Sequence, residues 1–175
     1  AGNYITTWSI MLSLVGMVAG ALVDAIGIKK TLLFSILFLL ASRLFMSFMT
    51  NPWLLFFAGF IPFAIGFAIV GPIVSVAIKR FTTKESSSLG FGLFYVIMNL
   101  AYAVGGIFFD KVRAAYTVKD AAGKILDDNA GTIIAGMHFS TYQMLILFSF
   151  IFTIVGLFII LPLRDGVELD AEGKI

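Results

Sequence analysis

A chain of 175 residues that is 60% hydrophobic and only 13% charged has too little polar surface to clothe a soluble domain, so its excess apolar surface must face lipid. A formal net charge of +2, with no basic run interleaved with aromatics, argues against nucleic acid as a partner. The absence of cysteine excludes a disulfide, a thiolate metal site and a thiol nucleophile.

A hydrocarbon core of roughly 30 Å needs about 20 apolar residues in a helix. Five stretches qualify, over residues 4–23, 31–49, 52–78, 86–109 and 139–163, and they predict an all-α, polytopic membrane protein. The first ends in the stretch GALVDAIGIKK, Gly20 to Lys30. Gly16 and Gly20, four apart, let a neighbouring helix approach closely. Gly20, Leu22, Asp24, Gly27, Lys29 and Leu32 fit the pattern G-x-L-x-D-x-x-G-x-K-x-x-L. Asp24 at the membrane edge can cap the following helix or meet the positive N-terminus of a neighbour. Gly27 permits a turn with positive φ, and Lys29 and Lys30 suit an anionic inner interface. An ordinary positive-inside turn also carries a glycine and an aspartate; the six matches at the junction of two spans favour a specific motif.

The second span holds Arg43, the one charged residue in any of the five. Counted from Thr31 it lies about 18 Å in. An ionisable group there faces a cavity or a partner, or snorkels to the nearer interface, and both readings stand. In the third span Gly71 and Pro72 predict a kink. The fourth places Tyr95, Asn99 and Tyr102 at helical spacing, where they bond a neighbouring helix or line a solute path; Ala101 and Gly105 are a packing pair. Residues 110–138 form a long loop of mixed charge, expected to be a short hairpin or flexible cap. Its Asp127-Asp128-Asn129 run lacks the periodic ligands of a calcium loop, and His138 reads as a solvated loop histidine, so no metal is expected. The fifth span opens with interfacial Tyr142 and Gln143, and residues 164–175 read as a cytoplasmic tail or linker. No nucleophile–base set or phosphate-binding loop is found, so neither an enzyme nor a cofactor is expected.

Lys29, Lys30, Lys79, Arg80 and Lys84 fall in two short connections, which marks that side as cytoplasmic. The chain then starts outside and ends inside, and a further helix is expected before Ala1, giving a six-helix unit.

The Gly20–Leu32 motif resembles the loop between the second and third helices of the major facilitator superfamily. The resemblance implies a membrane transporter of two six-helix halves, with helices two to six of the first half present here. It also implies that Gly20, Asp24, Gly27, Lys29 and Lys30 form a cytoplasmic gate. Two family positions that are usually basic are Ala25 and Ile28. Phe94-Tyr95-Val96-Ile97-Met98-Asn99-Leu100 is similar to the F-Y-x-x-I-N-x-G signature of proton-dependent oligopeptide transporters, with Met98 and Ala101 as departures. Gly71 stands where those relatives often carry a lysine before the proline. The function expected is secondary active transport of a small polar solute by alternating access, with protons as a coupling partner implied by the peptide-transporter likeness. Arg43, Tyr95, Asn99 and Tyr102 are the candidate solute contacts. The other partners are the bilayer and a second six-helix half or partner subunits. The alternative is a transporter-derived structural subunit of a larger membrane complex.

Overall fold

The computed structural model describes residues 2–127 and 129–163. Five helices dominate: α1, Gly2–Ile26; α2, Ile28–Phe48; α3, Pro52–Phe81; α4, Ser87–Tyr116; and α5, Thr141–Ile160. The last four are long and apolar enough to cross a membrane, and in α1 the apolar part among the described residues is the shorter Ser9–Val18. The protein is thus an all-α, multi-pass integral membrane protein. The two ends of the bundle differ. Lys29, Lys30, Lys79 and Arg80 lie in the first turn of α2 and the last turn of α3, at a basic end. The opposite end carries two small β-hairpins.

α2 is the hub, packed against α1, α3 and α5. Its buried residues are Ile28, Thr31, Ser35, Ile36, Leu39, Ser42 and Ser47, a stripe at helical spacing that is more than half hydroxylic. Between helices surrounded by lipid there is no hydrophobic driving force, so close approach and interhelical hydrogen bonds must supply the attraction. Ser35 Oγ donates to the Gly66 carbonyl at 2.6 Å, and Ser42 Oγ to the Gly59 carbonyl at 2.7 Å. Both pairs step by seven residues in opposite senses, as two antiparallel helices require. A Cβ on Gly66 would stand 2.9 Å from Leu39 Cγ and 2.9 Å from the Ser35 carbonyl oxygen, so glycine is what allows the backbones to meet. Nearer the basic end, Ile28, Ile69 and Ile73 form the apolar core, with Val15, Leu32 and Ile65 against it.

The helices differ in extent from the sequence reading. α2 starts directly after Gly27, so Lys29 and Lys30 belong to the helix and not to a loop. α3 runs on to Phe81, since Lys79 and Arg80 suit the negative C-terminal end of a helix. α4 continues to Tyr116, past the expected loop start at Asp110. Lys111, Arg113 and the two alanines are good helix formers, and Val112 is buried. α5 begins at Thr141, later than residue 139, because Ser140 and Gln143 make a capping box there. The irregular stretch of α3 is the π-helical turn Leu55–Phe60, and helical structure is continuous through Pro72. Residues 164–175, read as a tail, lie outside the described residues.

The loop after α4 is ordered as two antiparallel hairpins. β1 (Val118–Lys119) pairs with β2 (Ile125–Asp127), and β3 (Thr132–Ile134) with β4 (Met137–Phe139). The Tyr116 carbonyl, orphaned at the end of α4, accepts from Gly131 N and from Thr141 Oγ1, which draws the loop back onto the helix ends. Phe139, buried, meets Phe48 edge-on at 5.6 Å between ring centroids.

Candidate functional site

Gly27 has φ 86°, a conformation that glycine takes without a steric penalty, and it is the single residue between α1 and α2. Such a tight reversal sets the C-terminal end of α1 beside the C-terminal end of α3. Asp24 Oδ1 then lies 3.5 Å from Arg80 Nη2, with the aspartate side chain 75% exposed and the arginine 17%. Asp24 does not cap α2, whose N-cap is Gly27 with no side-chain bond; Arg80 is its partner instead. The position of Gly20 is in α1, one turn before Asp24. Lys29 is half-buried and Lys30 exposed on the first turn of α2. Ala25 is exposed, whereas Ile28 is fully buried in the core and serves packing there.

Arg43 faces inward. A helical side chain leans toward the N-terminus of its own helix, and the N-terminus of α2 is at the basic end. The guanidinium is therefore directed into the membrane and away from the nearer, hairpin end. Its Nη1 donates to the Ser149 carbonyl of α5 at 3.3 Å, and its Cζ lies 5.5 Å from the centre of the Phe63 ring of α3. By the rise of about 1.5 Å per residue, Arg43 sits about 8 Å from the end of α2, Ser149 about 12 Å into α5 and Phe63 about 16 Å into α3. The side chain thus reaches deeper than its own Cα. The Ser149 carbonyl also accepts from Thr153 Oγ1 at 2.7 Å.

Tyr95, Asn99 and Tyr102 lie together on α4 but apart from Arg43. All three are exposed, and the Asn99 amide donates back to the Tyr95 carbonyl at 2.8 Å within its own helix. Gly71 is exposed with open space where a Cβ would be, and Pro72 is half-buried. Pro72 has no N–H, so the Ala68 carbonyl loses its donor one turn back; a Cβ added to Gly16 of α1 would stand 4.0 Å from that carbonyl oxygen. Three features escaped the sequence reading. Arg80 as partner of Asp24 had a signal, because it is a cation at the same end of the bundle as that acid. Ser35 and Ser42 had one too, in their seven-residue step matched by Gly59 and Gly66. Ser149 had none, since it contributes a backbone oxygen. Among the described residues no cluster of His, Cys, Asp or Glu could hold a metal.

Comparison with known proteins places these features in context. A family model described as Major Facilitator Superfamily matches residues 1–110, which take in α1 to α3 and most of α4. No curated protein and no solved structure matches the chain.

Proposed function

The chain belongs to the Major Facilitator Superfamily, a family of membrane transporters, and we propose that its basic end is the cytoplasmic gate of a secondary transporter for a small polar solute. The observation that carries this reading is the Asp24–Arg80 pair next to the Gly27 reversal. An ion pair whose carboxylate is largely exposed contributes roughly 0–1 kcal/mol, weak enough to break and re-form as helix ends separate. Alternating access needs such a contact, with solute bound near the midplane between two halves that rock about it. A second six-helix half, or partner subunits, would supply the facing wall. Arg43, Tyr95, Asn99 and Tyr102 are the polar groups that these spans offer to a solute path. Proton coupling and a peptide cargo rest on the Phe94–Leu100 resemblance; the coupling carboxylate would come from outside the apolar stretches 4–23, 31–49, 52–78, 86–109 and 139–163, which hold no Asp or Glu.

The test is flux in vesicles reconstituted with the whole protein. Asp24→Asn and Arg80→Gln should each abolish proton-driven uptake while leaving the protein folded. Uptake that survives both substitutions would overturn the gate.

A second reading, a structural subunit of a larger membrane complex, draws support from Ile28. A residue buried at 0% in the core cannot serve as a mobile gate contact. Copurification of a stable complex that shows no solute flux would favour it.

A further inference from the structure

The family match ends at residue 110, and the two hairpins lie beyond it. Their turns are built from opposite chemistry. In the first, Asp120 Oδ1 accepts from Ala122 N and Lys124 N, a polar turn suited to water. In the second, Ala135 and Gly136 occupy the two turn positions with φ 51° and 79°. That two-residue turn with both φ positive favours Asn-Gly or Asp-Gly, since an asparagine or aspartate tolerates the left-handed region. Here an alanine takes the position against its Cβ penalty, and Ile133, Ile134 and Met137 flank it at 69%, 43% and 52% exposure. From Ile133 to Met137 no side chain carries an oxygen or nitrogen. A sequence selected for a water-facing turn has no reason to combine a strained backbone with a wholly apolar tip.

The tip also lies in the right place for lipid. Phe139, at the base of the same hairpin, packs on Phe48 of α2; Phe48 is itself exposed at the hairpin end of the bundle, as is Trp53. The apolar surface is thus continuous from the lipid-facing helices to the hairpin. Met137 is two residues beyond Phe139, about 7 Å at strand rise. The headgroup layer of one leaflet is about 5–8 Å thick, so even a hairpin running straight outward would place its tip at about the outer edge of that layer. We propose that Ile133–Met137 is a lipid anchor that dips into the headgroup region of the leaflet at the hairpin end and holds the connection between α4 and α5 against the bilayer.

These 175 residues hold no thiol, so a single cysteine placed among them, in a protein with any other thiols replaced, can carry an environment-sensitive dye. Met137→Cys and, as a second site, Ile133→Cys would be labelled in the whole protein and placed in phosphatidylcholine–phosphatidylglycerol vesicles. Ala121→Cys, at the polar turn, is the reference. The expected result is blue-shifted emission at 137 and 133 that headgroup spin-labelled lipid quenches and aqueous iodide does not, with the reverse at 121. Quenching of 137 and 133 by iodide alone would overturn the proposal, and so would protection from both quenchers, which would mean that protein covers the tip.

Discussion

The face of α2 that meets α3 and the outward face of α4 both carry polar side chains inside membrane spans, yet they treat them in opposite ways. On α2 the hydroxyls of Ser35 and Ser42 are fully buried and bond backbone carbonyls of the next helix. On α4, Tyr95, Asn99 and Tyr102 are exposed, and the bond of Asn99 is to its own helix. The lesson is that a polar atom in a span is informative only once its partner is known. A hydroxyl bonded across to the next helix holds helices together; an amide bonded only within its own helix is available to something else. Substitutions that separate adhesion from availability will break this contrast or sharpen it.

The largest effect belongs to Gly66. A branched side chain there meets a backbone oxygen and Leu39 at contact distances that allow no room. Gly66→Val should lower stability by about 1–3 kcal/mol, the ordinary cost of overpacking, or prevent folding outright. Thermal unfolding of the detergent-solubilised protein measures it, and an unchanged midpoint would show that α2 and α3 do not touch at this point.

Next come the hydroxyls. Ser42→Ala and Ser35→Ala each remove one interhelical bond, and membrane hydrogen bonds of this type average about 0.6 kcal/mol. Each should lower the unfolding midpoint by a small, measurable amount, and flux should survive in both. Transport lost without loss of stability would move these serines from adhesion into the solute path.

Arg43 falls between the two regions. Its hydrogen bond to Ser149 and its place over Phe63 are together worth about 2–4 kcal/mol. Holding a charge in a span costs about 2.5–3.5 kcal/mol on insertion scales. The two nearly cancel, so Arg43→Met should alter stability by less than about 1 kcal/mol. A charge retained at no net gain in stability points to use, and the expected outcome is loss of uptake with a near-native unfolding midpoint. A large destabilisation would make Arg43 a strut between α3 and α5.

These contrasts also mark how far the sequence could be read. Spans were legible because five apolar stretches of sufficient length leave no other way to satisfy the backbone in lipid. The Gly27 reversal was legible because so few residues accept its φ. The direction of Arg43 could have been deduced from the N-terminal lean of helical side chains, but its partner could not, because any residue can offer a carbonyl. The π-helical turn at Leu55–Phe60 left no trace in composition; Gly59 within it lies against the Met46 side chain. The region after α4 was legible only as a long loop forming a short hairpin or a flexible cap, because its strands are two or three residues long, too short for any period to show.

The smallest expected change in stability is at Asn99, and for that reason it discriminates best. The Tyr95 carbonyl that its amide approaches is already the acceptor for the helix bond from Asn99 N, so removing the amide orphans nothing. Alanine is also the better helix former by about half a kcal/mol. Asn99→Ala should leave the unfolding midpoint unchanged or slightly raised. If α4 presents its polar face to a solute path, uptake falls all the same, with a raised KM if the amide binds solute in the ground state. A drop in stability would instead show that Asn99 is glue for a helix packed against α4, and the contrast between the two faces would then fail.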